Sequence, residues 1–196
     1  MNIKDTITLI SGTNRKDSNT RLFTEILYNF IESHTQRSPR ILDLCELDGI
    51  NVENLMFDPN HQHPIVQRLQ NEYIIPASKF IFIVPEYNGS YPGILKYFID
   101  ACSIREYNSN FQNKRAFLIG ISTGRAGNLR GLDHLTAVLN YLQTHVHPMR
   151  IPVSQVTSIF DAEKLEFTNQ ELKSLFEQHL LPFINELVPE EKSQLS

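Results

Sequence analysis

The sequence predicts an α/β three-layer sandwich on a five-stranded parallel sheet, taken in the order 2-1-3-4-5, and three observations lead to the sandwich. Apolar runs without alternation recur along the chain, most plainly Phe80 to Val84, as strands buried on both faces require. Each run gives way to a polar loop and then to apolar residues at helical spacing. Repeated alternation of strand and helix requires right-handed crossovers, which place helices on both faces of the sheet. In that strand order the first and third strands flank the switch point, so the loops after strands one, three and four should meet at the carboxyl edge.

Asp5 to Ser11 reads as the first strand, and Gly12 to Thr20 as a loop crowded with hydroxyls, amides and two cations. Apolar pairs at 22/23, 26/27 and 30/31 then line one face of a helix. Pro39 to Leu47 is the second strand, and the excursion through Asn54, Pro59, Asn60 and Pro64 is loop. A helix from about Ile65 to Tyr73 closes the second crossover, limited by Pro76. The third strand runs from Lys79 into the loop Pro85 to Gly93, and positions 94, 95, 98, 99 and 102 carry the next helical stripe. Arg115 to Ser122 is the fourth strand, followed by Thr123 to Gly127 and a helix with Leu132, Leu135, Val138, Leu139 and Leu142.

Met149 to Val156 is read as the fifth strand, and Ile159 to Phe167 as loop or short hairpin. Thr168 with Glu171 has a capping-box pattern ahead of a last helix that Pro182 should kink. Residues 1–188 thus form one domain, and 189–196 a polar, frayed tail.

Charge and cysteine content narrow the function classes. With 18 basic and 22 acidic residues the net charge is −4, and there is no basic block to engage nucleic acid. Near the start, the run Ile7 to Ile10 is too short for a signal peptide or a membrane span, so a cytoplasmic protein without a membrane partner is expected. Cys45 and Cys102 are the only cysteines and form no redox or disulfide pattern, so both read as reduced packing residues. The pairs His61/His63 and His145/His147 lack neighbouring carboxylate or cysteine ligands at a recognisable spacing, so no metal site is expected. Asp133 beside His134 is no dyad, because adjacent helical residues point apart.

Two loops can carry chemistry. The first, SGTNRKDSNT, has what an isolated phosphate needs: free amides at a helix start, hydroxyls, and Arg15 with Lys16. Neither a Walker A nor a Gly-x-Gly-x-x-Gly pattern is present, and an ordinary helix-capping loop is the plain alternative. In the second, Pro85 to Gly93, a planar heteroaromatic could lie against Tyr87 while Glu86 and Asn88 reach its polar edge. A tight turn would use the same residues, except that Glu86 is costly to bury unpaired.

These residues carry a resemblance. PEYNGSYPGILKYFID, Pro85 to Asp100, is similar to the signature of the NADPH-dependent FMN reductase family, a flavodoxin-like group that includes chromate, quinone and azo-dye reductases. SGTNRKDSNT resembles that family's phosphate loop, and STGRAGNLRGLDHL its third flavin-side loop. The resemblance implies that Thr13, Arg15, Ser18, Asn19 and Thr20 hold the FMN phosphate. It further implies that Pro85, Glu86, Tyr87, Asn88 and Gly89 border the isoalloxazine ring and that Ser122 and the backbone near Gly127 close the other side. Asp17 departs from the family, where a small or neutral residue is common.

The expected activity is therefore hydride transfer from NADPH or NADH through bound FMN to a small oxidised acceptor such as a quinone. The flavin supplies the chemistry, so no catalytic side chain is nominated. The rival is a flavodoxin-type electron carrier, disfavoured by the mild charge and by the missing threonine-glycine pattern of the first loop. Arg15, Arg105, Arg125 and Arg130 are candidates for a 2′-phosphate. A homodimer is expected from large residues beyond a single core stripe: Tyr97, Phe98, Tyr107, Phe111, Leu129 and Tyr141.

Overall fold

All five residues of the first strand, β1 (Ile7–Ser11), are buried in the computed structural model, which describes residues 6–49 and 62–188. β3 (Lys79–Pro85) and β4 (Arg115–Ile121) are buried apart from one end residue each, as strands covered on both faces must be. β2 (Arg40–Asp43) and β3 pair in parallel with β1, and β4 pairs in parallel with β3. The fifth position beside β4 is shared by β5 (His145–Val146) and β6 (Ile151–Val153), so the order is 2-1-3-4-5 with a divided last strand. This is the flavodoxin-like sandwich that the sequence predicts.

The division corrects the expected continuous strand from Met149 to Val156. Ala116 faces Val146 and Ile119 faces Ile151, so the edge chain has two residues more than β4 between those points. Pro148 lies in the surplus stretch, has no amide to donate, and helps confine the irregularity to the sheet edge.

Helices cover both faces. α2 (Pro64–Leu69), α3 (Gly93–Cys102) and α5 (Leu129–Tyr141) pack on Ile10, Phe80, Phe82, Val84, Ala116 and Leu118. α1 (Asn19–His34), α6 (Gln170–Leu175) and α7 (Leu181–Asn185) pack on Leu9, Ile81, Ile83, Phe117 and Ile119. A short α4 (Tyr107–Asn110) precedes β4, and the ambiguous stretch before α6 forms a two-stranded hairpin of β7 (Phe160–Asp161) and β8 (Glu166–Phe167).

Local competition explains the other differences. The second strand stops at Asp43, whose carboxylate accepts the Cys45 amide and turns Leu44–Leu47 into a 3-10 helix. α2 continues as a π turn, Gln70–Ile74, before Pro76. Asn169, not Thr168, caps α6 by accepting the Leu172 amide, and a π turn at Phe176–Leu180 leads to α7 with Pro182 in its first turn. Phe98 and Phe111 are core residues rather than interface candidates, whereas Tyr107, Leu129 and Tyr141 are exposed and Tyr97 is partly buried. The loop at Asn54, Pro59, Asn60 and His61 and the tail 189–196 lie outside the described residues.

Two buried lysines close the amino edge. Lys79 donates to the carbonyls of Ile184 and Glu186, and Lys114 to those of Ile74 at 2.6 Å and Ile75 at 2.9 Å. Each cation therefore meets the carbonyl end of a helical segment, where the backbone dipole favours it. Burial pushes both thiols up, and Asp43 adds to the effect at Cys45, which keeps the cysteines protonated near neutral pH.

Phe23 anchors α1, with its ring 5.0 Å from Phe167 and 6.4 Å from Phe176 between centroids. Phe23→Ala should lower the unfolding free energy by about 3–5 kcal/mol, the usual cost of emptying a packed aromatic site. Urea unfolding followed by circular dichroism checks this, and a loss under about 1 kcal/mol would mean that the site collapses without penalty.

Candidate functional site

The loop after β1 begins with a close backbone approach. The Gly12 amide donates to the Ile83 carbonyl at 2.9 Å, and a Cβ on Gly12 would stand 2.9 Å from the same oxygen. Thr13 follows, 1% exposed, with Oγ1 2.7 Å from the Tyr87 hydroxyl. Asp17 takes a left-handed φ of 51° ahead of Ser18, the N-cap of α1. The Ser18 hydroxyl accepts the Arg21 amide at 3.2 Å, leaving the first amides of a 16-residue helix without intrahelical acceptors. The first turn contains no acidic residue, so the positive end of the helix is uncompensated there. Lys16 is 3.1 Å from Asp48, while Arg15 is exposed at the cleft.

The loop after β3 is a tight turn and a cleft wall at once. Tyr87 and Ser90 exchange both backbone hydrogen bonds, at 2.9 and 3.0 Å, across Asn88 at φ 50° and Gly89 at φ 78°. Left-handed φ at both central positions is the type I′ pattern that Asn-Gly favours. Glu86 is half-buried and lines the cleft, where its carboxylate reaches water. Ser90 Oγ lies 2.8 Å from His134 Nδ1, while neighbouring Asp133 pairs with Arg150, so those two side chains serve different contacts.

The loop after β4 is fastened by Ser122. Its Oγ accepts the Gly127 amide at 2.9 Å and donates to the Gly124 carbonyl at 3.1 Å. Gly127 has φ 56°, and a Cβ there would stand 2.6 Å from the Pro152 carbonyl carbon. Only glycine meets both conditions without strain.

Asn128 is the residue that sequence reasoning missed. It is 1% exposed, at φ 59°, and its Nδ2 donates to the carbonyls of Val84 at 3.1 Å and Pro85 at 3.0 Å. It thereby ties the loop after β4 to the end of β3. A Cβ on Gly131 would lie 2.1 Å from Asn128 Oδ1, so the glycine three positions on makes room for the asparagine. Adjacent Gly127-Asn128 is the sequence signal, but it reads equally well as an ordinary helix cap.

These loops enclose a cleft of about 400 Å³, within the range of small-molecule sites. Thr13, Arg15, Ser18, Asn19 and Thr20 line one end; Pro85, Glu86, Tyr87 and Asn88 with Ser122 line the remainder. Gly89 and Gly127 shape the walls from behind without lining the cleft. Thr123, Gly124, Arg125, Ala126 and Val156 complete the lining, and Asp17 lies at its rim. Amides, hydroxyls and a guanidinium at one end suit a phosphate, and an aromatic turn with polar backbone at the other suits a flat heterocycle, so the donor set fits a flavin mononucleotide. Among the described residues no group of three or more His, Cys, Asp or Glu is placed to hold a metal, His63 caps α2, and His147 packs on Phe117 and Phe183.

An α/β sandwich of order 2-1-3-4-5 with its cleft at the strand 1/strand 3 switch point is a flavodoxin-like protein. The family model for NADPH-dependent FMN reductase matches residues 6–157, and the chain belongs to that family. It is 33% identical over 142 residues to the NAD(P)H-dependent FMN reductase PA1204 of Pseudomonas aeruginosa, covering 71% of this chain and 74% of that protein. It is 28% identical over 136 residues to a 2-hydroxy-1,4-benzoquinone reductase of a Burkholderia species, covering 69% and 70%. Among solved structures, the flavoenzyme NAD(P)H:acceptor oxidoreductase FerB of Paracoccus denitrificans superposes with a TM-score of 0.69 at 25% identity, covering 92% and 93%. The protein is an NAD(P)H-dependent FMN oxidoreductase.

Asn128→Ala removes a buried donor that two carbonyls share and should cost about 1–3 kcal/mol. Gly131→Ala should also destabilise, by driving a methyl group into Asn128. In the double variant the obstacle is gone, so the combined loss should be smaller than the sum. Urea unfolding of the four proteins measures the cycle, and additive losses would show that Asn128 is not what keeps position 131 a glycine.

Proposed function

We propose that the cleft binds FMN, with Thr13, Arg15, Ser18, Asn19 and Thr20 on its phosphate, and that residues 1–188 act as one FMN-binding domain. Pro85, Glu86, Tyr87 and Asn88 border the ring, with Gly89 behind them in the turn, and Ser122 with the backbone near Gly127 closes the other side. The observation that carries this reading is the 2.7 Å contact between Thr13 and Tyr87, which joins an anion-suited helix start to an aromatic turn in one cleft. Bound there, FMN supplies the hydride-accepting and hydride-donating centre. The chain binds and orients it and aims amides at its edge, and no proton-transferring side chain is required.

Asp17 works against a phosphate dianion and Arg15 works for one, and both line the same end of the cleft. The left-handed backbone at Asp17 is one that glycine takes without strain, so this chain carries a charge at a position whose geometry asks for no side chain. The acceptor is a small quinone-type molecule, in keeping with the benzoquinone reductase among the relatives, and the donor is NADPH or NADH. Family membership favours this enzyme over an electron-carrying flavodoxin. No described helix is long and apolar enough to cross a membrane, and a cytoplasmic site of action fits an NAD(P)H-consuming reaction.

Heat-released cofactor from the purified protein should run as FMN, and FAD as the main species would overturn the reading. Arg15→Ala with Ser18→Ala should weaken FMN binding tenfold or more, while the lost N-cap lowers stability by only about 1 kcal/mol. Full flavin occupancy on dilution would remove the phosphate assignment.

The working form is a homodimer whose contact includes exposed Tyr107, Leu129 and Tyr141. Light scattering over a dilution series should give twice the chain mass, and a fully active monomer at micromolar concentration would refute it.

A further inference from the structure

Seven of the chain's ten arginines have partners: Arg68 lies between Glu46 and Glu72, Arg150 against Asp133, and Arg105 among Gln62, Gln70 and Asn71. The other three are Arg15, Arg125 and Arg130, whose guanidinium groups have no hydrogen-bond or ion-pair partner among the described residues. All three stand in the lining of one cleft or beside the turn that walls it. Arg15 and Arg125 line it, and Arg130 Nη1 is 3.9 Å from where a Cβ on Gly89 would be. A single unpaired arginine in water means little, because its hydration is favourable. Their concentration at one opening carries the argument, since Asp17 and Glu86 line the same cleft and yet neither forms an ion pair with any of them.

The three separate by position. Arg15 lies in the loop before α1, at the end assigned to the flavin phosphate. Arg125 lies in the loop after β4 and Arg130 in the first turn of α5, beside the Asn88-Gly89 turn at the opposite end. Arg105, the remaining candidate from the sequence, is held by three amide side chains and is withdrawn from the role.

We propose that Arg125 and Arg130 bind the 2′-phosphate of NADPH and set the preference of the enzyme for NADPH over NADH, an inference that rests on the flavin assignment above. A 2′-phosphate is the only group that distinguishes the two donors, and it carries close to two negative charges with several acceptor oxygens. Planar guanidinium groups match such a group bidentately, which a lysine cannot do. The pyrophosphate, present in both donors, is the competing target, and it predicts equal losses with both.

The flavin-loaded wild type, Arg125→Ala, Arg130→Ala and the double variant separate these outcomes through kcat/KM with NADPH and NADH under one acceptor. The wild type should prefer NADPH, and the ratio of the two kcat/KM values should fall about tenfold or more in the double variant, as expected for losing charge-assisted contacts. Calorimetric titration of the same flavin-loaded proteins with adenosine 2′,5′-bisphosphate should show a parallel loss of affinity, larger than that for adenosine 5′-monophosphate. An unchanged ratio, equal losses with both donors, or a wild type without NADPH preference would overturn the assignment and leave the flavin site intact. Oxidation of neither donor by flavin-loaded wild type would overturn the parent reading and this one together.

Discussion

The site depends on a backbone ladder that extends the parallel sheet one residue past its strands. Gly12, Glu86 and Ser122 are the first residues beyond β1, β3 and β4, and each donates its amide to a carbonyl of the neighbouring strand: Ile83, two residues before the end of β3, and Ile121 and Val153, the last residues of β4 and β6. These bonds, between 2.9 and 3.0 Å, fix where each loop leaves the sheet. Three loops far apart in sequence therefore leave the same end of the sheet, the first two residues short of the other two, with their lateral spacing set by strand separation, about 4.8 Å per step. A cleft on that edge inherits the rigidity of the most buried part of the molecule.

Close backbone approach is the condition for keeping that edge, and it accounts for residues that otherwise look arbitrary. Gly12 is pressed against Ile83 and Gly127 against Pro152, and a methyl group at either would push two loops apart. Asn128 answers the complementary need. At the end of β3 the carbonyls of Val84 and Pro85 both accept its amide, and losing such a donor in a buried place costs about 1–3 kcal/mol. Glycine 131 follows from the asparagine, so a short stretch after β4 is dictated by one strand terminus 40 or so residues earlier.

Much of this was legible in the sequence because it has a periodic or compositional mark. Apolar-rich runs locate β1, β3 and β4, helical spacing locates α1, α3 and α5, and the run from Pro85 to Asp100 points to the site. What escaped depends on partners remote in sequence. Asp43 turning the chain into a 3-10 helix is a side-chain to backbone competition that a strand pattern hides. The divided edge strand reflects a two-residue surplus against β4, visible only in the register. Phe98 falls on the single buried stripe of α3, and Phe111, just past α4, packs its ring 5.6 Å from that of Phe80, so neither is left over for a partner. Nothing in the sequence marks Lys79 and Lys114 as interior residues, yet both are buried on helix carbonyls.

The two edges of the sheet are thus built on opposite principles. At the amino edge, buried cations meet carbonyl groups and bind helices to strands, so polar atoms there are consumed in holding the fold. At the carboxyl edge the backbone holds itself through the ladder and through Asn128, which leaves Arg15, Asn19, Glu86 and Asn88 free of structural duty and in contact with water. A ligand entering such a cleft meets donors whose backbone is already fixed, and the ordering cost of binding is confined to a few side chains, about 0.5–1.5 kcal/mol for each long one immobilised. That separation lets the polar residues of the cleft vary with substrate while the fold stays the same, and a family built on one sheet edge can serve many acceptors for that reason.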